Sequence, residues 1–179
     1  MEQIGASSHS VIPAQVRRLI ELALEEDVAG GDPTTEALIL DQEWGSAQVV
    51  ARAPGVLAGT WVFAAVFTTL DPRLQVDLLH ADGSHVSPGE LLATVSGPIS
   101  SILKGERVAL NFLQRLSGIA TETARYVAAV AGLPVRIVDT RKTAPGMRWL
   151  EKYAVRMGGG FNHRLSLSDG VLVKDNHLA

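Results

Sequence analysis

The chain has 179 residues, of which 46% are hydrophobic and 20% are charged, so it can bury a core and falls outside the disordered class. It contains no cysteine, which excludes disulfide scaffolds, cysteine nucleophiles and iron–sulfur clusters. No apolar run reaches the roughly 18 residues of a membrane span, and the N-terminus MEQIGASSHS lacks the order of a signal peptide. We therefore expect a cytoplasmic protein that does not bind membranes.

The two halves of the chain differ in charge. Residues 1–104 carry 5 Lys or Arg against 13 Asp or Glu, whereas residues 105–179 carry 11 Lys or Arg against 6 Asp or Glu. The basic second half predicts an anionic ligand. It has no basic tail and no nucleic-acid-binding motif, so the composition favours a small, highly charged metabolite over nucleic acid.

The first half of the sequence predicts one helix followed by a small sheet. Apolar residues at helical spacing, with Pro13 before the first turn, predict an amphipathic helix over residues 14–27. The segment VAGGDPTTEALI that follows is typical of turns. A small antiparallel sheet is then predicted from β-like stretches at 47–53, 55–67 (strand and then helix), 74–80 and 91–97.

From Ser101 the apolar residues return to helical spacing, and Gly118 predicts a break between two helices. An apolar strand (134–140), a helix (144–159) and a second apolar strand (170–175) then predict a βαβ unit.

A βαβ unit exposes strand edges on both sides, so the second domain is expected to be incomplete. We predict a first domain over residues 1–110 and a second over residues 111–179.

Polar side chains follow both strands of this unit where each strand ends, at residues 139–142 and 174–177. The carboxyl ends of parallel strands form the ligand-binding edge of an α/β fold, so both groups should face one cavity. Cationic side chains crowded there would repel one another unless an anion is bound. The predicted anion site comprises Arg141, Lys142, His163, Arg164 and Lys174.

His163 and Arg164 lie on a glycine-led loop, GGGFNHRL, between the two predicted strands. A loop leading into a strand belongs to the opposite edge of the sheet, so this loop would have to wrap back to reach the site. His80 and His85 flank a turn and are interpreted as structural. No set of His, Asp and Glu residues has metal-ligand spacing, so no protein metal site is predicted.

Four stretches resemble the quinolinate phosphoribosyltransferase family. They are EDVAGGDPTT (26–35), GVLAG (55–59), GERVALNFLQRLSGIAT (105–121) and DTRKTAPGMRWLEKYAVRMGGGFNHRLSLSDGVLVKDNH (139–177). The resemblance implies an N-terminal α/β sandwich domain followed by the opening strands of an α/β (TIM-like) barrel. It also implies that quinolinate and phosphoribosyl pyrophosphate (PRPP) react, with Mg²⁺ present, to give nicotinate mononucleotide, carbon dioxide and pyrophosphate.

The resemblance also assigns roles to individual residues. Arg107 matches an arginine that reaches the quinolinate of the neighbouring subunit, which implies a homodimer. Arg141 and Arg164 match the arginines that hold the quinolinate carboxylates, and Thr140 lies beside the first. The positions around the reacting centre and the diphosphate are matched by Lys142, His163 and Lys174.

Two other interpretations remain open from the sequence. One is an enzyme of the same fold with another substrate, such as a molybdenum-transport-associated relative. The other is an inactive anion-binding fragment, because the family's ribose-binding acidic residues and phosphate-binding loops belong to barrel strands that would follow Ala179. We expect the 179-residue chain by itself to lack turnover.

Overall fold

The computed structural model describes residues 12–40 and 42–179. The segment MEQIGASSHS, considered above for a signal peptide, lies outside the described residues. In chain order, the helices and strands are α1 (Ala14–Val28), α2 (Pro33–Leu38), β1 (Trp44–Val50), β2 (Gly55–Val56), α3 (Thr60–Leu70), β3 (Gln75–Leu78), β4 (His85–Val86), β5 (Leu91–Pro98), α4 (Ile99–Ala129) and α5 (Arg148–Met157). Two short 3₁₀ turns follow at Leu167–Asp169 and Asp175–His177.

Helix α1 confirms the predicted amphipathic helix. Val16, Ile20 and Leu24, four residues apart, are its buried side chains. The segment predicted as a turn contains the short helix α2, which is a correction. Pro33 occupies the first turn of α2, and the Asp32 carboxylate accepts a hydrogen bond from the Thr35 amide at 3.1 Å. An N-cap and a proline thus begin a helix in a segment that composition alone assigns to a turn.

The predicted antiparallel sheet is confirmed. Its strand order is β1-β5-β3, both pairings are antiparallel, and β2 and β4 form a separate two-stranded ladder. Helix α3 is buried on nearly every side and packs against α4, β3 and α1. The apolar residues of α3 therefore form the centre of the core.

Helix α4 runs unbroken for 31 residues, so the predicted break at Gly118 is wrong. A glycine inside a helix costs only about 1 kcal/mol relative to alanine. The buried side chains on either side of Gly118, among them Leu116 and Ala120, outweigh that cost. The predicted domain boundary between residues 110 and 111 falls inside α4 and stays a prediction.

The two predicted strands of the second half need correction. The first (134–140) forms a single parallel bridge within the described residues, between Val138 and Phe161. The second (170–175) lies in no strand, and Val171 is 96% exposed. The apolar run of residues 170–175 forms no ladder because no neighbouring segment of the described chain supplies backbone partners.

The parallel partner of residue 138 is therefore Phe161, at the end of the glycines that terminate α5. The predicted order is kept: an extended segment ending near Val138, the helix α5, and then a parallel segment at Phe161. Residues 163 and 164 now follow the second segment instead of preceding it. His163 and Arg164 thus lie at the carboxyl end of that segment, and no loop has to wrap back.

We predict that Gly59→Ala destabilises the fold more than Gly89→Ala. Both glycines have positive φ, +88° and +85°, so each substitution carries about 1 kcal/mol of backbone strain. A Cβ at Gly59 would lie 2.4 Å from Cδ1 of the buried Leu116, whereas a Cβ at Gly89 meets no atom of the described residues within 4 Å. Gly59→Ala should cost roughly 1–3 kcal/mol more in urea unfolding. Equal losses would contradict this packing.

Candidate functional site

The candidate site lies where two neighbouring chain segments end. The Asp139 amide donates to the Phe161 carbonyl oxygen at 3.0 Å, and the Phe161 amide donates to the Ile137 carbonyl oxygen at 2.9 Å. Because the bridge is parallel, residues 139–142 and 162–164 leave it side by side at the same edge. Those residues include four of the five members of the predicted anion site.

A buried ion pair lies beneath this edge. The Lys152 ammonium, on α5, donates a hydrogen bond to the Asp139 carboxylate, and the two side chains are 1% and 6% exposed. The same ammonium donates to the His163 carbonyl oxygen at 3.1 Å. A buried charge is tolerated when it is paired and hydrogen-bonded, and both conditions are met here.

The Asp139 carboxylate accepts two further hydrogen bonds from the second segment. The His163 amide donates to Oδ1 at 2.8 Å, and the Asn162 side-chain amide donates to Oδ2 at 2.6 Å. Asn162 also donates to the Lys152 carbonyl oxygen at 2.8 Å. The Asp139 carboxylate thus joins the end of the first segment, the neighbouring segment and helix α5.

Other α5 side chains hold the loops on either side of the site. Arg148 donates to the Thr143 hydroxyl at 3.1 Å and to the Leu165 carbonyl oxygen at 3.4 Å, so it bridges the loops that follow the two segments. The Glu151 carboxylate accepts from the Ala144 amide at 3.3 Å and pairs with Arg115 of α4. The first two turns of α5 therefore fix the backbone from which Arg141 and Arg164 project.

Arg141 is half-buried, and its Nε is buried without a hydrogen-bond partner among the described residues. A buried guanidinium nitrogen normally finds an acceptor, so this atom is suited to an incoming anion. Lys142, next in the chain, is exposed, and its amide donates to the hydroxyl of the exposed Thr140 at 3.1 Å. The first segment thus presents two adjacent cations.

The second segment presents the exposed His163 and the half-buried Arg164. The Asp169 carboxylate accepts from the Leu165 and Ser166 amides at 2.6 and 3.0 Å. These backbone amides lower the pKa of Asp169 below its ordinary value, so the loop is fastened by an ionised carboxylate. Arg164 leaves the bridge at the same edge as Arg141, and its guanidinium donates to the Gly170 carbonyl oxygen at 3.5 Å.

The remaining predicted site residues lie farther along the chain. Lys174 is exposed, and its amide donates to Nδ1 of His177 at 3.1 Å. Arg107 is exposed on α4. Within the described residues, no hydrogen bond joins the side chain of either residue to the Asp139 network.

A second polar contact fastens α5 to the first half of the chain. The Tyr153 hydroxyl, next to Lys152, donates to Asp82 Oδ2 at 2.5 Å. The Asp82 carboxylate also accepts from the Gly59 and Thr60 amides at the start of α3, at 2.9 and 3.0 Å. Burial, followed by the nearby Asp82 charge, raises the pKa of Tyr153 far above its ordinary value, so this hydroxyl remains a donor.

Sequence reasoning missed Lys152, Arg148 and Asn162. Arg148 and Lys152 are four residues apart on an amphipathic helix, a pattern typical of a solvent-facing side, yet Lys152 is almost fully buried. One signal in the sequence could have indicated a buried lysine or arginine. Asp139 follows the predicted strand, and a carboxylate buried beneath the site requires a cation beside it.

No group of three or more His, Asp or Glu side chains in residues 12–40 and 42–179 could hold a metal ion. Nor does this part of the chain contain a helix long and apolar enough to cross a membrane. His80 lies 3.4 Å from the Glu90 carboxylate. The fold and site together define an α/β chain with cationic side chains at the ends of two parallel segments.

Comparison with known proteins identifies the family. The model for the quinolinate phosphoribosyl transferase N-terminal domain matches residues 32–117, and the model for the C-terminal domain matches residues 119–179. The chain belongs to the quinolinate phosphoribosyltransferase family. The resemblance drawn from the sequence is thereby confirmed, as is a fold that begins with an α/β sandwich domain and continues into the opening part of an α/β barrel.

Curated relatives and solved structures point to the same family. A probable carboxylating nicotinate-nucleotide pyrophosphorylase of Synechocystis is 51% identical over 155 residues, covering 87% of this chain and 52% of the relative. Its counterpart in Bacillus subtilis is 44% identical, covering 92% and 57%. NadC from Streptococcus pyogenes superposes with a TM-score of 0.90 at 43% identity, covering 96% of this chain and 61% of that one. The chain therefore spans about half the length of the curated relatives it matches.

We predict that Lys152→Met lowers the free energy of unfolding by about 3–5 kcal/mol, because Asp139 would be left buried without its cation. Arg115→Met is the matched control: it removes the cation of another α5 ion pair, but Arg115 is 50% exposed. That control should cost no more than about 1 kcal/mol. Similar losses in the two variants, measured by urea unfolding, would show that the Lys152 pair is not buried as described.

Proposed function

We propose that the protein transfers a phosphoribosyl group from PRPP to quinolinate and releases carbon dioxide and pyrophosphate, giving nicotinate mononucleotide for NAD biosynthesis. The names of its relatives, carboxylating nicotinate-nucleotide pyrophosphorylases, support this activity. The observation that carries the proposal is Arg141: its half-buried guanidinium has a buried nitrogen without a partner among the described residues. It lies at the same edge as Arg164, so two cationic forks are available for two carboxylates.

We assign quinolinate binding to Arg141 and Arg164, with Thr140 beside the first and Arg107 contributed by a neighbouring subunit. Quinolinate carries two adjacent carboxylates that repel each other. Neutralising both allows the ring nitrogen to approach C1 of the ribose in a productive orientation. Lys142, His163 and Lys174 are assigned to the reacting centre and the diphosphate.

The chemistry proceeds in two steps. The ring nitrogen donates its electron pair to C1 while the bond from C1 to the diphosphate oxygen breaks, and pyrophosphate takes that bond's electrons. Lys142 and Lys174 stabilise the charge that develops on the diphosphate as the ribose becomes oxocarbenium-like. Carbon dioxide then leaves, and the electron pair of the broken carbon–carboxylate bond stays on the ring carbon, where the adjacent positively charged nitrogen stabilises it until that carbon takes up a proton. No protein nucleophile takes part.

Mg²⁺ belongs to the proposal as a companion of PRPP. The described residues offer no acidic cluster that could hold the ion, and Mg²⁺ commonly binds through substrate phosphates. Mg²⁺ is therefore proposed to arrive with PRPP as part of the substrate, and no side chain of this chain is assigned to it.

We further propose a cytoplasmic homodimer in which Arg107 completes the site of the partner. Arg107 is exposed on α4 and is not bonded to the Asp139 network, so it is available to a second subunit. We also propose that the domain boundary lies between residues 110 and 111. Neither nucleic acid nor membrane is a proposed partner.

Arg141→Ala should weaken quinolinate binding at least tenfold and PRPP binding less, because a carboxylate would lose a charged, bidentate donor. The matched control is Arg136→Ala, which removes an exposed arginine that stacks 4.8 Å from the Phe161 ring on the other side of the bridge. Titration calorimetry on the complete enzyme measures both dissociation constants. Equal loss of the two ligands in Arg141→Ala, or equal effects of the two variants, would contradict the assignment.

Mixing an inactive Arg107→Ala subunit with an inactive Lys142→Ala subunit should restore part of the activity. Each heterodimer would contain one site with both residues intact. Lys142→Ala subunits mixed among themselves serve as the control and should stay inactive. If heterodimers are verified by mass spectrometry and no activity returns, Arg107 acts within its own subunit.

A further inference from the structure

The backbone of His163 is held on both sides by one buried ion pair. Its amide donates to Asp139 Oδ1 at 2.8 Å, and its carbonyl oxygen accepts from the Lys152 ammonium at 3.1 Å. Both peptide groups flanking this residue are therefore fixed. Since the His163 carbonyl belongs to the peptide group that leads into Arg164, the backbone at the start of Arg164 is held as well.

Lys152 has a second, electrostatic consequence. Asp139 lies two residues before Arg141 and next to the bridge, so an unpaired carboxylate there would compete with a ligand for the surrounding cations. The Lys152 ammonium, 1% exposed, neutralises that carboxylate from the buried side. The charges of Arg141 and Arg164 then remain available at the open edge.

We infer that Asp139 and Lys152 are a positioning pair that holds the backbone of His163 and Arg164 beside that of Arg141 for binding of an adjacent dicarboxylate. The pair touches no substrate and acts through the backbone of residue 163. The identity of the ligand rests on the proposed function, whereas the positioning itself rests on the contacts of Asp139 and Lys152. A purely structural ion pair would support stability without affecting anion affinity.

Two double variants of the complete enzyme separate these roles. Asp139→Asn/Lys152→Met and Asp139→Ala/Lys152→Met both lack the buried charges, but only the first keeps, at position 139, a side-chain oxygen that can accept from the His163 amide. We expect the first to bind quinolinate within about threefold of the unmodified protein, and the second at least tenfold more weakly, by titration calorimetry. The amide resonance of His163 should keep its hydrogen-bonded chemical shift in the first variant alone.

Leu150→Ala is the control for lost stability. Leu150 is buried on α5 at 1% exposure, and its apolar side chain forms no hydrogen bond with Asp139, so its truncation should lower the thermal midpoint while quinolinate affinity stays within about twofold. Equal affinities in the two double variants overturn the inference. It is also overturned if Leu150→Ala weakens binding as much as Asp139→Ala/Lys152→Met does.

Failure of the proposed function gives a different result. If the unmodified protein binds no quinolinate, that function is contradicted, and inorganic pyrophosphate becomes the probe anion for the same variants. A difference of at least tenfold between the two double variants with pyrophosphate would still support positioning. Absence of any anion binding would contradict both.

Discussion

Asp139 and Lys152 bring two opposite charges into the interior at the point where a chain segment ends and its parallel neighbour begins. Burying either charge alone would cost several kcal/mol, so each residue requires the other. Their hydrogen bonds extend to Asn162 and to both peptide groups of His163. The second half of the described chain has a single parallel bridge and no long ladder. The two segments are therefore held together largely by side-chain and backbone hydrogen bonds to the Asp139 carboxylate, whereas in a continuous sheet backbone ladders hold neighbouring strands together.

Helix α5 couples this network to the rest of the fold. Lys152 reaches the site, and the neighbouring Tyr153 reaches Asp82, whose carboxylate caps the start of α3. Tyr153 also stacks on Trp149, with ring centroids 5.9 Å apart and planes 8° apart. A shift of α5 would disturb the edge that bears Arg141 and Arg164 and the core of the first half together. The site is thus supported by the same core as the sheet domain.

Local sequence patterns were sufficient for much of the first half. The helical spacing of apolar residues such as Val16, Ile20 and Leu24 predicted α1, and β-like stretches between turn residues predicted the antiparallel sheet. The predicted break at Gly118 was wrong because the packing of α4 outweighs the helix-propensity cost of a glycine, which is about 1 kcal/mol.

In the second half, the composition of residues 170–175 could not reveal which segment would pair with Val138. Pairing is a long-range property, and Phe161, in a glycine-led stretch, supplied the partner. The reasoning from strand ends placed residues 174–177 beside residues 139–142, whereas residues 162–164 lie there. The burial of Lys152 could not be predicted from its own helix, because a lysine on an amphipathic helix has the pattern of a solvent-facing residue; the only signal was Asp139 at the strand end.

The proposed function requires that the edge bearing Arg141 and Arg164 recognise two adjacent carboxylates. The most direct measurement is a side-by-side calorimetric titration of the complete enzyme with quinolinate and with nicotinate, which has the same ring but only one of the two carboxylates. The account predicts that quinolinate binds at least tenfold more tightly, because loss of one charge-assisted bidentate contact costs about 1.4 kcal/mol or more. Equal affinity for the two acids would contradict it.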